Sequence, residues 1–401
     1  MRVSEAELRE VASRAVARHQ VTAVQIGVIS AGDETTVCLG SDRSPFPLAS
    51  ISKLVTAETL ARLAERGAVD LDAHASEYLV DAVGGLKRVT LRHLLSHTSG
   101  WSTDPVDQFD TGEDALARAA RQADTLEFHS PPGSIWSYSN SGYAVAARIA
   151  EAVSSRPFEA LATELVLEPA GMRSTSFSGD RGQRPYGGLV STLGDLLLLA
   201  RHLSDSGAAR ATRAVENISP GSHEAACLGW WTRRIGGRDA LNHGGRSPSH
   251  ATLLILLPSE RLAIAIAPAG GEIPAALCAH EIASWLLDRV VGIRESLPGP
   301  LIECDPSEYA HAYVRGRGEW RFVADGGQLR IIAGSEEWPV SFLARDQIVL
   351  GAGPRCGLRG EFLRDSDDRV TWFRFERTGL GWAHGGGRVS KRLPDRDQAR
   401  R

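Results

Sequence analysis

The chain has 401 residues, 42% of them apolar, which is enough for two or three domains with a large core. Its 45 basic and 49 acidic residues are interspersed, and with a net charge of −4 this excludes the charge runs typical of nucleic-acid-binding and membrane-surface proteins. Five scattered cysteines without Cys-x-x-Cys spacing indicate neither a disulfide framework nor a zinc site.

The first predicted elements are a helix and a hairpin. Ser4-Glu5-Ala6-Glu7 is a capping-box pattern, and an amphipathic helical pattern follows it to residue 18. Apolar runs over 21–30 and 35–39 predict two strands. No stretch resembles a signal peptide, and proline and charged residues interrupt the longest apolar region, 251–268. We therefore expect a cytoplasmic protein without a membrane span.

Ser50-Ile51-Ser52-Lys53 carries the strongest chemical signal. Three of the 45 basic residues are lysines, and one of these stands three positions after a serine at the start of a predicted helix. Residues three apart share a helix face, so Lys53 is expected within proton-transfer reach of the Ser50 hydroxyl. Burial can make an amine neutral and basic, whereas a guanidinium keeps its proton. The pair predicts a serine nucleophile activated by lysine.

A helical region follows, and strand patterns then return. Helical periodicity is present over 91–96, 115–123, 143–153, 158–167 and 193–203. Strands are predicted over 228–234, 251–257 and 262–267, and a helix over 274–291. Residues 1–296 are therefore predicted to form an α+β domain, in which an antiparallel sheet is flanked by helices and carries an inserted all-helical subdomain over 70–220.

The composition changes at Leu297-Pro298-Gly299-Pro300. Short alternating runs predict antiparallel strands over 319–324, 328–333, 338–343, 347–350, 360–363 and 370–375. Residues 297–390 are thus predicted to form a separate small antiparallel β-barrel or sandwich, and residues 391–401 a polar tail.

Two further motifs carry groups that a serine–lysine enzyme needs. Tyr138-Ser139-Asn140 lies on a loop before a predicted helix. A phenol beside a lysine ammonium can carry a proton to a leaving group, and an amide side chain can donate and accept at once. His243-Gly244-Gly245 comes shortly before the strand at 251, and its glycines let the backbone pass close to a ligand.

In this order, Ser50-x-x-Lys53, Tyr138-x-Asn140 and His243-x-Gly245 resemble the motifs of the serine β-lactamase and penicillin-binding-protein superfamily. The resemblance is closest to the branch of class C β-lactamases, D-aminopeptidases and family VIII esterases. Residues 91–100, 168–172 and 187–192 of this chain also resemble recurring stretches of that branch. It covers residues 21–291. For the C-terminal region, position and strand pattern resemble the lipocalin-like barrel appended to some D-aminopeptidases and penicillin-binding-protein-like thioesterases.

By position, the resemblance implies that Ser50 is the acylated nucleophile and Lys53 its base or proton shuttle. Tyr138 is expected to serve the leaving group, and Asn140 to orient Lys53 and the substrate amide. His243 stands where many relatives have a lysine, and it is expected to tune Tyr138 or to bind an anionic substrate group.

Main-chain groups complete the implied site. The N–H groups of Ser50 and Arg246 are expected to form the oxyanion hole. The predicted substrate-binding residues are Gly244, Gly245 and Trp136. His93 and His97 have the spacing of helical zinc ligands but no acidic third ligand, so we predict no metal site and no cofactor.

The sequence therefore predicts a serine hydrolase or acyltransferase. A small ester, thioester or amide is expected to acylate Ser50, and water or a nucleophilic acceptor to release the acyl group; nucleic acid and membrane are not expected partners. Candidates are an esterase, a D-aminopeptidase, and a transacylase or peptide-cyclising thioesterase of secondary metabolism. The alternatives are a β-lactamase or D,D-carboxypeptidase and, in another class, a non-catalytic protein that binds ligands in a retained cleft.

Overall fold

The structure is a computed structural model that describes residues 3–40, 44–105, 112–206, 224–235, 237–293, 301–315, 318–351, 358–375 and 390–393. The α-helices in these ranges are α1 (Glu5–His19), α2 (Ser52–Glu65), α3 (Leu91–Leu95), α4 (Ala115–Asp124), α5 (Asn140–Ser154), α6 (Phe158–Ala162), α7 (Glu168–Ala170), α8 (Arg184–Gly187), α9 (Leu193–Ser206) and α10 (Glu272–Val291). Shorter 3-10 helices lie at Ala49–Ile51, Ala75–Glu77, Gly85–Lys87, Pro258–Glu260 and Pro306–Tyr309, with a π-helical turn at Thr163–Leu167.

The strands fall into two groups, one before and one after residue 300. The first group is β1 (Ala23–Ser30), β2 (Asp33–Leu39), β3 (Phe46–Pro47), β4 (Ser176–Phe177), β5 (Leu189–Ser191), β6 (Glu224–Ala226), β7 (Trp231–Ile235), β8 (Arg238–Arg246), β9 (Ala251–Leu257) and β10 (Leu262–Ala269). The second is β11 (Ala312–Arg315), β12 (Gly318–Asp325), β13 (Gln328–Ala333), β14 (Glu336–Ala344), β15 (Gln347–Leu350), β16 (Arg359–Arg364), β17 (Val370–Phe375) and β18 (Ser390–Arg392).

A seven-stranded antiparallel sheet, in the order β2-β1-β10-β9-β8-β7-β6, forms the centre of the larger part. Strands from both ends of that part meet in it, because β1 pairs with β10 from Ala23↔Ala269 to Ser30↔Leu262. Helices α1 and α10 pack against each other and on one face of the sheet, and α2, α5 and α9 belong to the core on the other face. The predicted α+β architecture is confirmed.

Strand β8, which carries the third motif, was not predicted. The sequence placed His243 and its two glycines before the strand at 251, but β8 includes all three and pairs with β7 and β9. Glycine and polar residues weaken a local strand signal. Here the neighbouring strands supply the stabilisation, since β8 lies between two of them and is buried from Ala240 to Gly245.

The smaller part is a closed eight-stranded antiparallel barrel from β11 to β18. Aromatic rings pack on one another in its interior, with centroids 4.7 to 5.8 Å apart. These rings belong to Tyr309, Tyr313, Phe322, Phe362 and Phe373. The polar tail was predicted from residue 391, which is wrong at its first two positions. Lys391 and Arg392 belong to β18, which pairs with both β11 and β17 and closes the barrel.

The predicted domain boundary between residues 296 and 297 lies outside the described residues. Within the described ranges, no helix has both the length and the apolar character needed to cross a membrane.

Candidate active site

Ser50 lies at a sharp turn between β3 and α2. Strand β3 pairs with β5, and the Leu48 N–H donates to the Leu189 carbonyl at 2.8 Å, which fixes the approach of the chain. Ala49 then adopts a φ of 45°, in the left-handed region that residues with a Cβ rarely occupy. The first donor of the following helix is Ile51, so the Ser50 N–H precedes it and is available to a ligand.

The Lys53 amine reaches the Ser50 hydroxyl, as helical spacing predicts. Its Nζ is 3.3 Å from Ser50 Oγ and donates to the Tyr186 carbonyl at 3.0 Å, and the side chain is 0% exposed. The ring centroids of Tyr138, Tyr186 and Tyr143 lie 4.8, 5.1 and 5.5 Å from Nζ. The three rings enclose the amine beside the serine oxygen, and their faces can stabilise an ammonium. The amine is thus within proton-transfer distance of Ser50 Oγ.

The Tyr138 hydroxyl meets the same serine. Its Oη donates to Ser50 Oγ at 2.9 Å, and its ring stacks on His97 at a centroid distance of 4.4 Å. Trp231 lies beside both rings: its indole is nearly parallel to the imidazole at 5.6 Å, and its centroid is 6.4 Å from that of the Tyr138 ring. The His97 Nδ1 also accepts from the Ser139 N–H at 3.0 Å, so one residue supports both the ring and the backbone of the tyrosine loop.

A buried carboxylate fixes the start of α5. Asp104 accepts from the Asn140 N–H at 2.9 Å, from the Ser141 N–H at 2.9 Å and from the Ser141 hydroxyl at 2.6 Å. The Ser139 side chain caps the same helix by accepting from the Gly142 N–H. A negative charge at a helix N-terminus is favourable, and here it also holds the residues that follow Tyr138.

Asn140 is the first residue of α5, and its Oδ1 is buried without a hydrogen-bond partner in the described part of the chain. In the structure the Lys53 amine donates to the Tyr186 carbonyl and not to this oxygen. A buried amide oxygen without a donor is unfavourable, and a substrate N–H would satisfy it. The predicted role of Asn140 in orienting Lys53 and the substrate amide stays a prediction.

The end of β8 lies against the turn that holds Ser50. A Cβ at Gly245 would overlap the Leu48 carbonyl oxygen and lie 3.2 Å from the Ala49 Cβ. His243 is fully buried, and its Nδ1 is 2.8 Å from the Gly244 carbonyl; since a carbonyl only accepts, Nδ1 carries the proton. The predicted roles of His243, of Gly244 and of the Arg246 N–H stay predictions.

Replacing Gly245 by alanine is expected to lower the stability by about 1–3 kcal/mol, because the new methyl group forces β8 away from the Ser50 turn. Activity should fall with it. The matched control is Gly194→Ala in α9, where the nearest atom to an added Cβ is 3.9 Å away, and this variant should be as stable as the wild type or more so. Thermal unfolding measures the stability of each variant, and the rate of Ser50 acylation measures its activity. Equal behaviour of the two variants would contradict the close approach of Gly245 to the Leu48 carbonyl.

Trp136 is buried, and its indole packs edge-on against Trp231 at 4.9 Å. Together with Tyr138 and Ala226 these two rings form a small apolar cluster beside the site. The predicted contact of Trp136 with substrate stays a prediction.

Cys227 lies beside this cluster but is a poor nucleophile. Burial raises the pKa of its thiol to about 11, and only about one thiol in 10³ or fewer would be ionised at neutral pH. Iodoacetamide at pH 7.5 should therefore leave Cys227 of the folded protein unmodified and the activity unchanged. Peptide mapping before and after unfolding checks this, and rapid modification of the folded protein would contradict it.

The two histidines with zinc-ligand spacing have other partners. The His93 Nδ1 accepts from the Thr90 N–H at 3.2 Å, and the His97 Nδ1 accepts from Ser139. No group of three or more His, Cys, Asp and Glu side chains in the described ranges could hold a metal ion.

Sequence reasoning missed three contributors: Asp104, His97 as a stacking surface and the Tyr186 carbonyl. Every residue has a main-chain carbonyl, so the sequence does not indicate that the one of Tyr186 accepts from Lys53. Asp104 is separated by 36 positions from the helix that it caps. His97 lies just after α3, and its position in the sequence does not indicate which rings it stacks on.

Both the sequence and the fold of this chain are similar to those of known proteins. The profile of the Beta-lactamase family matches residues 8–274. Penicillin-binding protein 4 of Amycolatopsis lactamdurans is 26% identical over 294 residues, which are 61% of this chain and 76% of that protein. Esterase EstB of Burkholderia gladioli is 31% identical over 162 residues, 35% of this chain and 41% of EstB. The crystal structure of SurE with D-Leu has the same fold, with a TM-score of 0.79 at 21% identity over 97% of this chain and 99% of that one.

Proposed function

The chain belongs to the beta-lactamase family of serine hydrolases, and on that premise we propose that it transfers acyl groups through an ester on Ser50. One observation carries the proposal: two proton-carrying groups meet on a single alcohol. Lys53 Nζ is 3.3 Å and Tyr138 Oη 2.9 Å from Ser50 Oγ. A weak nucleophile needs a base within hydrogen-bond reach, and a leaving group needs an acid.

The first half-reaction forms the acyl-enzyme. Ser50 Oγ attacks the carbonyl carbon of the donor, and its proton passes to Lys53 or Tyr138. The N–H groups of Ser50 and Arg246 would stabilise the oxyanion, by about 3 kcal/mol for each donor in comparable sites. The bond between the carbonyl carbon and the leaving group then breaks, and Tyr138 delivers a proton to the departing oxygen, sulfur or nitrogen.

The second half-reaction decides between hydrolysis and transfer. Water or a nucleophilic acceptor adds to the Ser50 ester, loses a proton to the same basic groups and releases the acyl product. The proposed donors are small esters, thioesters and amides, and the name of EstB supports an ester. Because the similar structure is that of SurE with D-Leu, D-aminoacyl donors and D-amino acid acceptors are the first to test. We place this reaction in the cytoplasm.

Product partitioning tests the shared acyl-enzyme. D- and L-alanyl groups would be presented as p-nitrophenyl esters, thiophenyl esters and p-nitroanilides, with increasing D-leucinamide as acceptor. The expected ratio of transfer to hydrolysis rises linearly with acceptor and is the same for every leaving group, because the leaving group has departed before partitioning. A ratio that depends on the leaving group would contradict the proposal.

A β-lactamase or D,D-carboxypeptidase is the second candidate, and the name of penicillin-binding protein 4 supports it. Turnover of nitrocefin, or release of D-alanine from a peptide ending in D-Ala-D-Ala, faster than any ester of the panel would favour this candidate. A non-catalytic protein would bind such molecules without forming an adduct on Ser50.

A further inference from the structure

Side chains on the outer face of the barrel donate hydrogen bonds to the segment that precedes Tyr138. In β17, Phe373 points into the barrel core, so its neighbours Trp372 and Arg374 point outwards. Trp372 Nε1 donates to the His129 carbonyl at 3.1 Å, and Arg374 Nη1 donates to the Trp136 carbonyl at 2.9 Å. The barrel thereby holds both ends of the segment 129–136.

Arg374 is the more firmly fixed of the two anchors. It lies directly opposite Glu361 in the pairing of β17 with β16, and its Nη2 donates to that carboxylate at 2.8 Å. Both side chains are nearly fully buried, 2% exposed, although they lie on the outside of the barrel. The guanidinium also covers the Trp136 ring, with Cζ 4.2 Å from its centroid. Burial raises the pKa of Glu361, and the Arg374 charge opposes that shift.

From Trp136 the contacts lead to the catalytic hydroxyl in two ways. Along the chain, Ser137 follows and its N–H donates to the His97 carbonyl at 2.8 Å, which places Tyr138 next. Through side chains, Trp136 packs on Trp231 at 4.9 Å, and Trp231 stacks on His97, which stacks on Tyr138. Movement of Trp136 would therefore move the Tyr138 ring relative to Ser50.

We propose that Arg374, held by Glu361, is a positioning residue for Tyr138, so that the barrel forms part of the catalytic machinery although it touches no reacting atom. The filled barrel interior agrees with a role for the outer face. An ion pair that served only stability would not need to donate to the main chain two residues before Tyr138. The inference rests on the proposed function, because it assigns Tyr138 the task of protonating the leaving group.

A double-mutant cycle on the full chain tests the inference, with phenyl acetate hydrolysis as the readout. The variant Arg374→Met/Glu361→Leu removes both charges, so that no unpaired charge stays buried. A displacement of about 1 Å at a reacting group can lower a rate by about 10²-fold. We expect a 10- to 100-fold lower kcat in the Tyr138 background and a change of no more than about twofold in a Tyr138→Phe background, where no phenol is left to misplace. Equal factors in both backgrounds would overturn the positioning role.

Two more variants separate positioning from loss of fold. Arg374→Lys keeps a cation for Glu361 but cannot stack its plane on Trp136, so it should fold like the wild type and still lose kcat, by about 10-fold. Wild-type kcat in this variant would overturn the proposal. The control pair Arg364→Met/Asp346→Leu removes a 2.8 Å ion pair of the barrel that does not contact the segment 129–136, and it should leave kcat unchanged. An equal loss in this control would likewise overturn the proposal.

Measurements on the wild type distinguish a failure of this inference from a failure of the proposed function on which it rests. Failure of the wild type to hydrolyse phenyl acetate, together with an unlabelled Ser50, counts against the proposed function. Hydrolysis with additive effects in the cycle counts against Arg374 alone.

Discussion

Arginine in place of Lys53 is expected to slow acylation of Ser50 by about 10³-fold or more, although the positive charge is retained. The buried amine lies between Ser50 Oγ and the Tyr186 carbonyl and has to give up and regain a proton. A guanidinium cannot be deprotonated there, and its planar fork is too large for a site enclosed by three tyrosine rings. The measurement is the rate of p-nitrophenol release from p-nitrophenyl acetate at saturating ester.

The matched control makes the same substitution at Lys87, an exposed residue, and should behave like the wild type. Lys53→Met, which removes the base without introducing a permanent charge, should be about as slow as Lys53→Arg. Near-normal acylation by folded Lys53→Arg would reject the role of Lys53 as a base.

Phenylalanine in place of Tyr138 is expected to have the second largest effect, and its size should depend on the leaving group. Tyr138 Oη is 2.9 Å from Ser50 Oγ, where it can protonate the group that Ser50 displaces. For phenyl acetate we expect kcat/KM to fall by about 10²- to 10³-fold. For p-nitrophenyl acetate, whose leaving group is a stronger acid and departs without a proton, the loss should be about tenfold or less. Equal losses for both esters would instead assign Tyr138 the removal of the serine proton.

Tyr143→Phe is the matched control for the loss of a phenol. Its ring is also near Lys53, but its hydroxyl donates to the Leu95 carbonyl at 2.6 Å. Burial raises the pKa of Tyr143 well above its ordinary value, so it stays protonated. This variant should lose about 1 kcal/mol of stability and change kcat/KM for either ester by less than about fivefold.

Local sequence patterns predicted most of the helices and strands and the Ser50–Lys53 pair of the site. Three-residue spacing on a helix was enough to bring Lys53 to Ser50, because helical geometry is set within one turn. Strands β9, β13, β15 and β17 were predicted at the residues where they occur, since each is a run of apolar or alternating residues bounded by turns.

The features that could not be predicted depend on contacts between distant segments. Polar β8 and β18 are strands because of their neighbours, and neither has a strong signal of its own. The hydrogen bond from Arg374 to Trp136 joins positions 238 residues apart. The left-handed φ of Ala49, between β3 and α2, likewise depends on distant contacts, because alanine has no preference for it and the pairing of β3 with β5 fixes the approach of the chain.

Covalent labelling of the folded chain with a fluorophosphonate, read by intact mass and peptide mapping, tests the central claim most directly. The result predicted is one adduct per chain, on Ser50, lost in Ser50→Ala and retained in Ser52→Ala, whose missing hydroxyl only accepts a hydrogen bond from the Leu189 N–H in the wild type. A folded wild-type chain that gains no mass, or that is labelled as fully after Ser50→Ala, would contradict the claim that this alcohol is the activated nucleophile.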